Sequence, residues 1–106
     1  MGLMAPYDSW ANRIATLRFV QDIPTRPRHR SYSFTKWVDD NLASLADKPI
    51  LICWGMKDFV FDVHFLNEWK RRFPTADVHG YPGAGHYVLE DAKDEIVPLI
   101  RDFVTR

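Results

Sequence analysis

Two residues stand in loops where their side chains could do chemistry: Asp58 and His86. Asp58 closes the stretch Pro49-Ile-Leu-Ile-Cys-Trp-Gly-Met-Lys-Asp58. There an apolar run long enough for a buried strand meets a glycine that permits a sharp bend, and an acid follows three residues later. His86 closes Ala76-Asp-Val-His-Gly-Tyr-Pro-Gly-Ala-Gly-His86, a strand-like run followed by a Gly/Pro turn and an imidazole. A carboxylate bound to one imidazole nitrogen selects the ring's tautomer and steadies its charged form. The other nitrogen can then take a proton from a hydroxyl or a water. Such a pair needs no closeness in sequence; it needs two loops at the same end of neighbouring strands. Each residue also has a plainer use. Asp58 could cap the next helix, and His86 could be a loop histidine without chemistry. A nucleophile is missing from any suitable setting. Ser31 and Ser33 lie in no Gly-x-Ser-x-Gly turn and suit helix capping, and Cys53 sits inside the apolar run as a packed thiol.

The elements that must position the pair follow from spacing. Trp10, Ile14, Leu17 and Val20 fall on one face of a helix over 9–21, capped by Asp8 or Ser9 and stopped before Pro24. Arg26-Pro-Arg-His-Arg30 reads as a basic connector, with an anion contact as the alternative. Phe34, Trp37, Val38, Asn41, Leu42 and Leu45 predict a helix over 33–46. A strand over 50–54, apolar throughout, implies helices on both faces. Asp62 can cap a helix that turns Phe65, Leu66, Trp69 and Phe73 to one side, with His64 at its surface. A second strand runs over 76–81, with His79 and Tyr81 on one face and Val78 and Gly80 on the other. Pro82 to Gly85 supplies the turn before His86, made of small or permissive residues. The acids Glu90, Asp91, Asp94 and Glu95 suit a helix N-terminus, and Ile96, Leu99, Ile100 and Phe103 mark the closing helix. Pro98 is tolerable if that helix begins near Glu95. Helix-then-strand repetition implies crossover units and a parallel sheet, an α/β fold.

Composition narrows the functional classes. The 106 residues suit one domain or part of one, and 46% hydrophobic with 14% aromatic content describes a globular chain. Fourteen basic residues balance fourteen acidic ones, which argues against a nucleic-acid partner. The lone Cys53 allows no internal disulfide and suits a reducing, cytoplasmic setting. No leader pattern opens the chain, no apolar run approaches the roughly 20 residues of a membrane helix, and no spacing calls for a metal or cofactor.

At the two loops the chain resembles the α/β-hydrolase family, in particular its haloalkane dehalogenase and epoxide hydrolase branch. The matching elements are the strand-Trp54-Gly55-x-x-Asp58 segment, the Gly83-Ala84-Gly85-His86 loop and the closing helix to Phe103. Residues 1–24 are similar to the exit from the cap in dehalogenase-like members, β-lactone-processing relatives included. The resemblance implies that residues 1–106 form a single C-terminal segment of a hydrolase domain, carrying its last two strands. It implies Asp58 as the triad acid and His86 as the general base, with Phe59, Val60 and Tyr87 as substrate contacts. The family's nucleophile, a Ser in esterases and an Asp in dehalogenases, has no counterpart in this sequence.

Three functions follow as expectations. The chain is a hydrolase part or subunit acting on a small-molecule substrate. Alternatively it is an inactive remnant serving as an interaction module, or a small-molecule binding domain lined by Trp10, Phe59 and Tyr87. Two strands cannot close a sheet, so the apolar first strand is expected to find a neighbour, by self-association or from a complementary N-terminal fragment.

Overall fold

A computed structural model describes residues 5–106; the expectations for residues 1–4 fall outside the described part. The chain divides into two compact units, one reaching to Asn41 and the other running from Leu42 to Arg106.

The first unit is helical. After a 3-10 turn at Ala5–Tyr7 comes α1, Trp10–Gln21, whose N-terminal amide of Asn12 donates to the Ser9 hydroxyl at 3.2 Å. Of the two proposed caps, Ser9 is therefore the one used, while Asp8 binds the Asn12 side chain. The expected helix α1 forms, yet none of its side chains is buried, and Trp10, Phe19 and Val20 are exposed. The basic connector is held by its histidine. His29 Nδ1 accepts from the Ser31 amide at 3.0 Å, and Nε2 meets Asp22 Oδ1 at 3.0 Å. Arg30 pairs with the same carboxylate at 3.5 Å. Helix α2, Tyr32–Asn41, is shorter than the predicted 33–46, because the chain passes into a 3-10 turn at Leu42–Leu45. Asn41 turns its side-chain amide onto the Trp37 carbonyl at 2.8 Å, a local bond typical of asparagine where a helix ends.

The second unit is built on two parallel strands, β1 (Leu51–Gly55) and β2 (Asp77–Tyr81), joined through helix α3 (Val63–Arg72). The register sets Ile52 against Val78, Cys53 against His79 and Gly55 against Tyr81. Side chains alternate across a strand, so Cys53, Gly55, His79 and Tyr81 share one face and Ile52, Trp54, Val78 and Gly80 the other. The predicted division of β2 therefore holds. Asp62 caps α3 by accepting from the His64 amide at 3.0 Å, and Leu66 of α3 and Phe73 just beyond it are buried. Arg71 and Arg72 both bind Glu68 and hold its carboxyl down at about 2.

The chain beyond His86 departs from expectation. A single-turn helix α4, Val88–Asp91, precedes α5, Lys93–Val104. The four acids still fall in first turns as expected, Glu90 and Asp91 in that of α4 and Asp94 and Glu95 in that of α5. Pro98 lies at the sixth position of α5, past the first turn, and has no amide to offer the Asp94 carbonyl. The core under the Cys53–Tyr81 face is small: Ala84, Ala92 and fully buried Ile96, with Cys53, Tyr81 and Val88 packed against them. Strand β1 is less enclosed than its composition suggests. Ile52 and Gly55 are buried but Leu51, Cys53 and Trp54 only partly so, and β1 has no second strand neighbour among the described residues.

With so few side chains sharing this core, removing one leaves a cavity that little else can fill. Ile96→Ala is expected to destabilise the second unit by about 2–5 kcal/mol, seen as a lower urea midpoint with an unchanged slope.

Candidate active site

Strand β1 ends at Gly55 and β2 at Tyr81, side by side in a parallel pair, so both following loops leave from the same rim. The two loops are stitched by main-chain bonds. The Met56 amide donates to the Tyr81 carbonyl at 3.0 Å and the Lys57 amide to the Ala84 carbonyl at 2.9 Å. Gly55 makes this approach possible. A Cβ placed on it would run into the Gly85 carbonyl oxygen and come within 2.9 Å of the Ala84 carbonyl oxygen. No described glycine has a positive φ, so Gly55 is needed for closeness and not for a bend. A Cβ at Gly83 would meet nothing within 4 Å, so space demands nothing of that glycine.

The stitched loops bring the two predicted residues together. His86 Nδ1 lies 3.0 Å from Asp58 Oδ2, across 28 residues of sequence. The other carboxylate oxygen, Oδ1, accepts from the amides of Val60 and Phe61, both at 2.9 Å. Asp58 therefore caps its own loop with one oxygen and holds the imidazole with the other. The two uses weighed from sequence coexist. Burial acts to raise the Asp58 carboxyl, since its side chain is only 9% exposed. The bonds from His86 and from the Phe61 and Val60 amides outweigh burial and hold it below its ordinary value of 3.8. An ionised carboxylate only accepts, so Nδ1 carries the ring proton and Nε2 is left as the basic nitrogen. Among the described residues Nε2 has no hydrogen-bond partner, and the ring is 39% exposed.

Aromatic rings frame the imidazole. Phe61 lies 5.5 Å away, centroid to centroid, and Tyr87 lies 5.6 Å away edge-on. A cavity of about 300 Å³ opens beside it, lined by His86, Tyr87, Val88, Leu89 and Glu90. Of the three expected substrate contacts, Tyr87 reaches this cavity. Val60 contributes its amide to Asp58, and Phe59 stands 87% exposed on the loop. Phe61 was not singled out from sequence: an Asx turn at Asp58 places its donor two residues on, at Val60, and the Phe61 amide is a further donor to the same oxygen. Trp54 steadies that residue by donating from Nε1 to the Phe61 carbonyl at 3.0 Å. Among the described residues no group of three or more His, Cys, Asp or Glu is placed to hold a metal ion. Burial pushes the Cys53 thiol up against the opposing bond from Tyr81, which suits a packed thiol and not a thiolate. The aliphatic hydroxyls of this unit, Ser44, Thr75 and Thr105, lie in no elbow-like turn.

Comparison with known proteins agrees with the fold. The model of the alpha/beta hydrolase fold family matches residues 6–93. The chain belongs to the α/β-hydrolase fold family. Its two strands and flanking helices are a part of that fold. It is similar to the cis-3-alkyl-4-alkyloxetan-2-one decarboxylase of Shewanella oneidensis, 52% identical over 96% of this chain and 32% of that protein. The protein of the same name from Xanthomonas campestris is 47% identical over 97% of this chain and 34% of its own length. Haloalkane dehalogenase 2 of Mycobacterium tuberculosis is 29% identical over 92% and 35%. The chain thus spans about a third of the length of the curated relatives it matches. No solved structure matches it significantly. No helix among the described residues is long and apolar enough to cross a membrane.

Two measurements test this geometry. Gly55→Ala forces the two loops apart and is expected to abolish the His86–Asp58 bond, read as loss of the low-field imidazole proton in the NMR spectrum. The Asp58 carboxyl is lowered by folding, so its contribution to stability is complete above the ordinary value of 3.8 and is lost as pH falls through the lowered one. Asp58→Asn should therefore flatten the acid limb of the stability–pH curve below that value.

Proposed function

We propose that the chain supplies the acid, Asp58, and the general base, His86, of a nucleophile–His–acid triad in a hydrolase-fold enzyme. What supports the reading is the 3.0 Å contact between Asp58 Oδ2 and His86 Nδ1, with Nε2 left as the basic nitrogen beside a partly apolar cavity. The nucleophile comes from a turn that these 106 residues do not contain. The first strand's second edge, without a strand neighbour among the described residues, is where a complementary chain or a second copy would extend the sheet.

The substrate class favoured by the relatives' names is an oxetan-2-one with two alkyl substituents, with haloalkanes second. The rings of Phe61 and Tyr87 beside the base, and Val88 and Leu89 in the cavity wall, suit alkyl groups. With a Ser nucleophile, His86 takes the hydroxyl proton as Oγ attacks the carbonyl carbon. With an Asp nucleophile, the carboxylate attacks a substrate carbon to form an ester as the halide, or the ring oxygen of the oxetanone, leaves with the bonding pair, and His86 takes a proton from the water that cleaves the ester.

The second reading is an interaction module with no turnover, favoured by the open edge of β1 and by exposed Phe59 and Tyr87. One substitution separates the readings. In an enzyme completed by its nucleophile-bearing part, His86→Ala should lower turnover of a dialkyl oxetan-2-one on the order of a millionfold if the nucleophile is Ser. If the nucleophile is Asp, the same variant should accumulate a covalent ester visible by mass spectrometry. A variant that turns over normally without an adduct would rule out His86 as the base, and self-association without turnover in the unaltered protein would support the interaction role.

A further inference from the structure

The bond that holds the His86 loop from behind comes from Asp91, whose carboxylate Oδ2 accepts from the Gly85 amide at 3.0 Å. The residues around that amide explain why it needs holding. Ala84 is fastened at both ends: its amide donates to Tyr81 at 3.1 Å and its carbonyl accepts from Lys57 at 2.9 Å. It is also buried in the cluster with Ala92 and Ile96. Gly85 is the link between this fixed point and His86, and glycine is the residue with the most backbone freedom to lose. The Gly85 carbonyl lies against Gly55, and a Cβ on Gly85 would reach ordinary contact distance, 3.9 Å, from Asp91 Oδ2 and the Lys57 carbonyl, so packing restrains its carbonyl side and the bond from Asp91 holds its amide.

Asp91 is itself well anchored. The single turn of α4 folds the chain back, with the Asp91 amide on the Tyr87 carbonyl at 2.9 Å and the Ala92 amide on the Val88 carbonyl at 2.9 Å. Ala92, the next residue, is buried under the loop. The carboxylate is thus delivered to residue 85 from six residues downstream. A charged acceptor on a backbone amide makes one of the stronger hydrogen bonds available to a loop.

The geometry points to Asp91 as a positioning residue for His86: it fixes the Gly85 peptide and so keeps the imidazole within reach of Asp58. It touches no reacting atom and acts only through the loop. This rests on the reading of His86 as the base, but its central measurement does not. In the full chain, hydrogen exchange at the Gly85 amide is expected to rise on the order of tenfold or more in Asp91→Ala. Protection in β1 and α3 should stay unchanged, and the low-field proton of His86 Nδ1 should weaken. Asp91→Asn keeps an acceptor oxygen and is expected to restore both signals. Asp91→Glu, which keeps the charge but moves it by one methylene, should show the same losses in part and reports in place of the alanine variant if that fails to fold. Unchanged Gly85 exchange and an undiminished His86 proton in Asp91→Ala, or in Asp91→Glu if that variant stands in, would overturn the assignment. Absence of the His86 proton in the unaltered chain, with Gly85 still protected through Asp91, would instead overturn the acid–base pair and leave the clamp standing.

Discussion

Everything at this site depends on how closely two backbones approach at one rim of a two-stranded sheet. Gly55 at the end of β1 lies directly against the carbonyls of Ala84 and Gly85. Amides from one loop reach carbonyls of the other, and only then can residues 28 apart in sequence share a proton. The energetic logic is that of a buried polar network. Each main-chain bond is modest alone, but it satisfies a group that the approach would otherwise strand away from water. The approach and its hydrogen bonds therefore stand or fall together.

The carboxylate of Asp58 shows how such a site is oriented without extra residues. Both of its oxygens have assigned partners: loop amides on one, the imidazole on the other. That leaves the acid no freedom to rotate away, and it keeps the carboxyl ionised against the pull of burial. The imidazole is more open, 39% exposed against 9% for the carboxylate. The enclosed carboxylate and exposed imidazole run from loop interior to solvent, with Phe61 and Tyr87 beside the ring.

The small core has the same economy. Ala84, Ala92 and Ile96 lie under Cys53 and Tyr81, so the residues that carry the histidine loop also form the packing that holds α5 on the sheet. Short side chains let the helix and the loop come close, and Ile96 fills what remains. By contrast, α1 buries none of its side chains, although its apolar residues recur at helical spacing. Periodicity marks a face that can be covered; it does not supply the cover.

Much was legible in the order of residues. The two strands, the cap at Asp62, the division of β2 into faces and the pairing of Asp58 with His86 all rest on local rules: periodicity, capping chemistry and the topology of a strand-helix-strand unit. Other features depended on contacts between distant segments. The sequence showed a glycine at position 55 but not that a carbonyl from residue 85 would press on it. It showed acids at 90 to 95 but not that one would turn back to a loop amide, because that required the single turn of α4. It suggested helix up to residue 46, where an asparagine amide capturing a carbonyl marks an earlier end. Local chemistry decides which elements form and which groups they carry. Which groups then touch is settled only when packed backbones exclude water and each polar atom must find a partner across the gap.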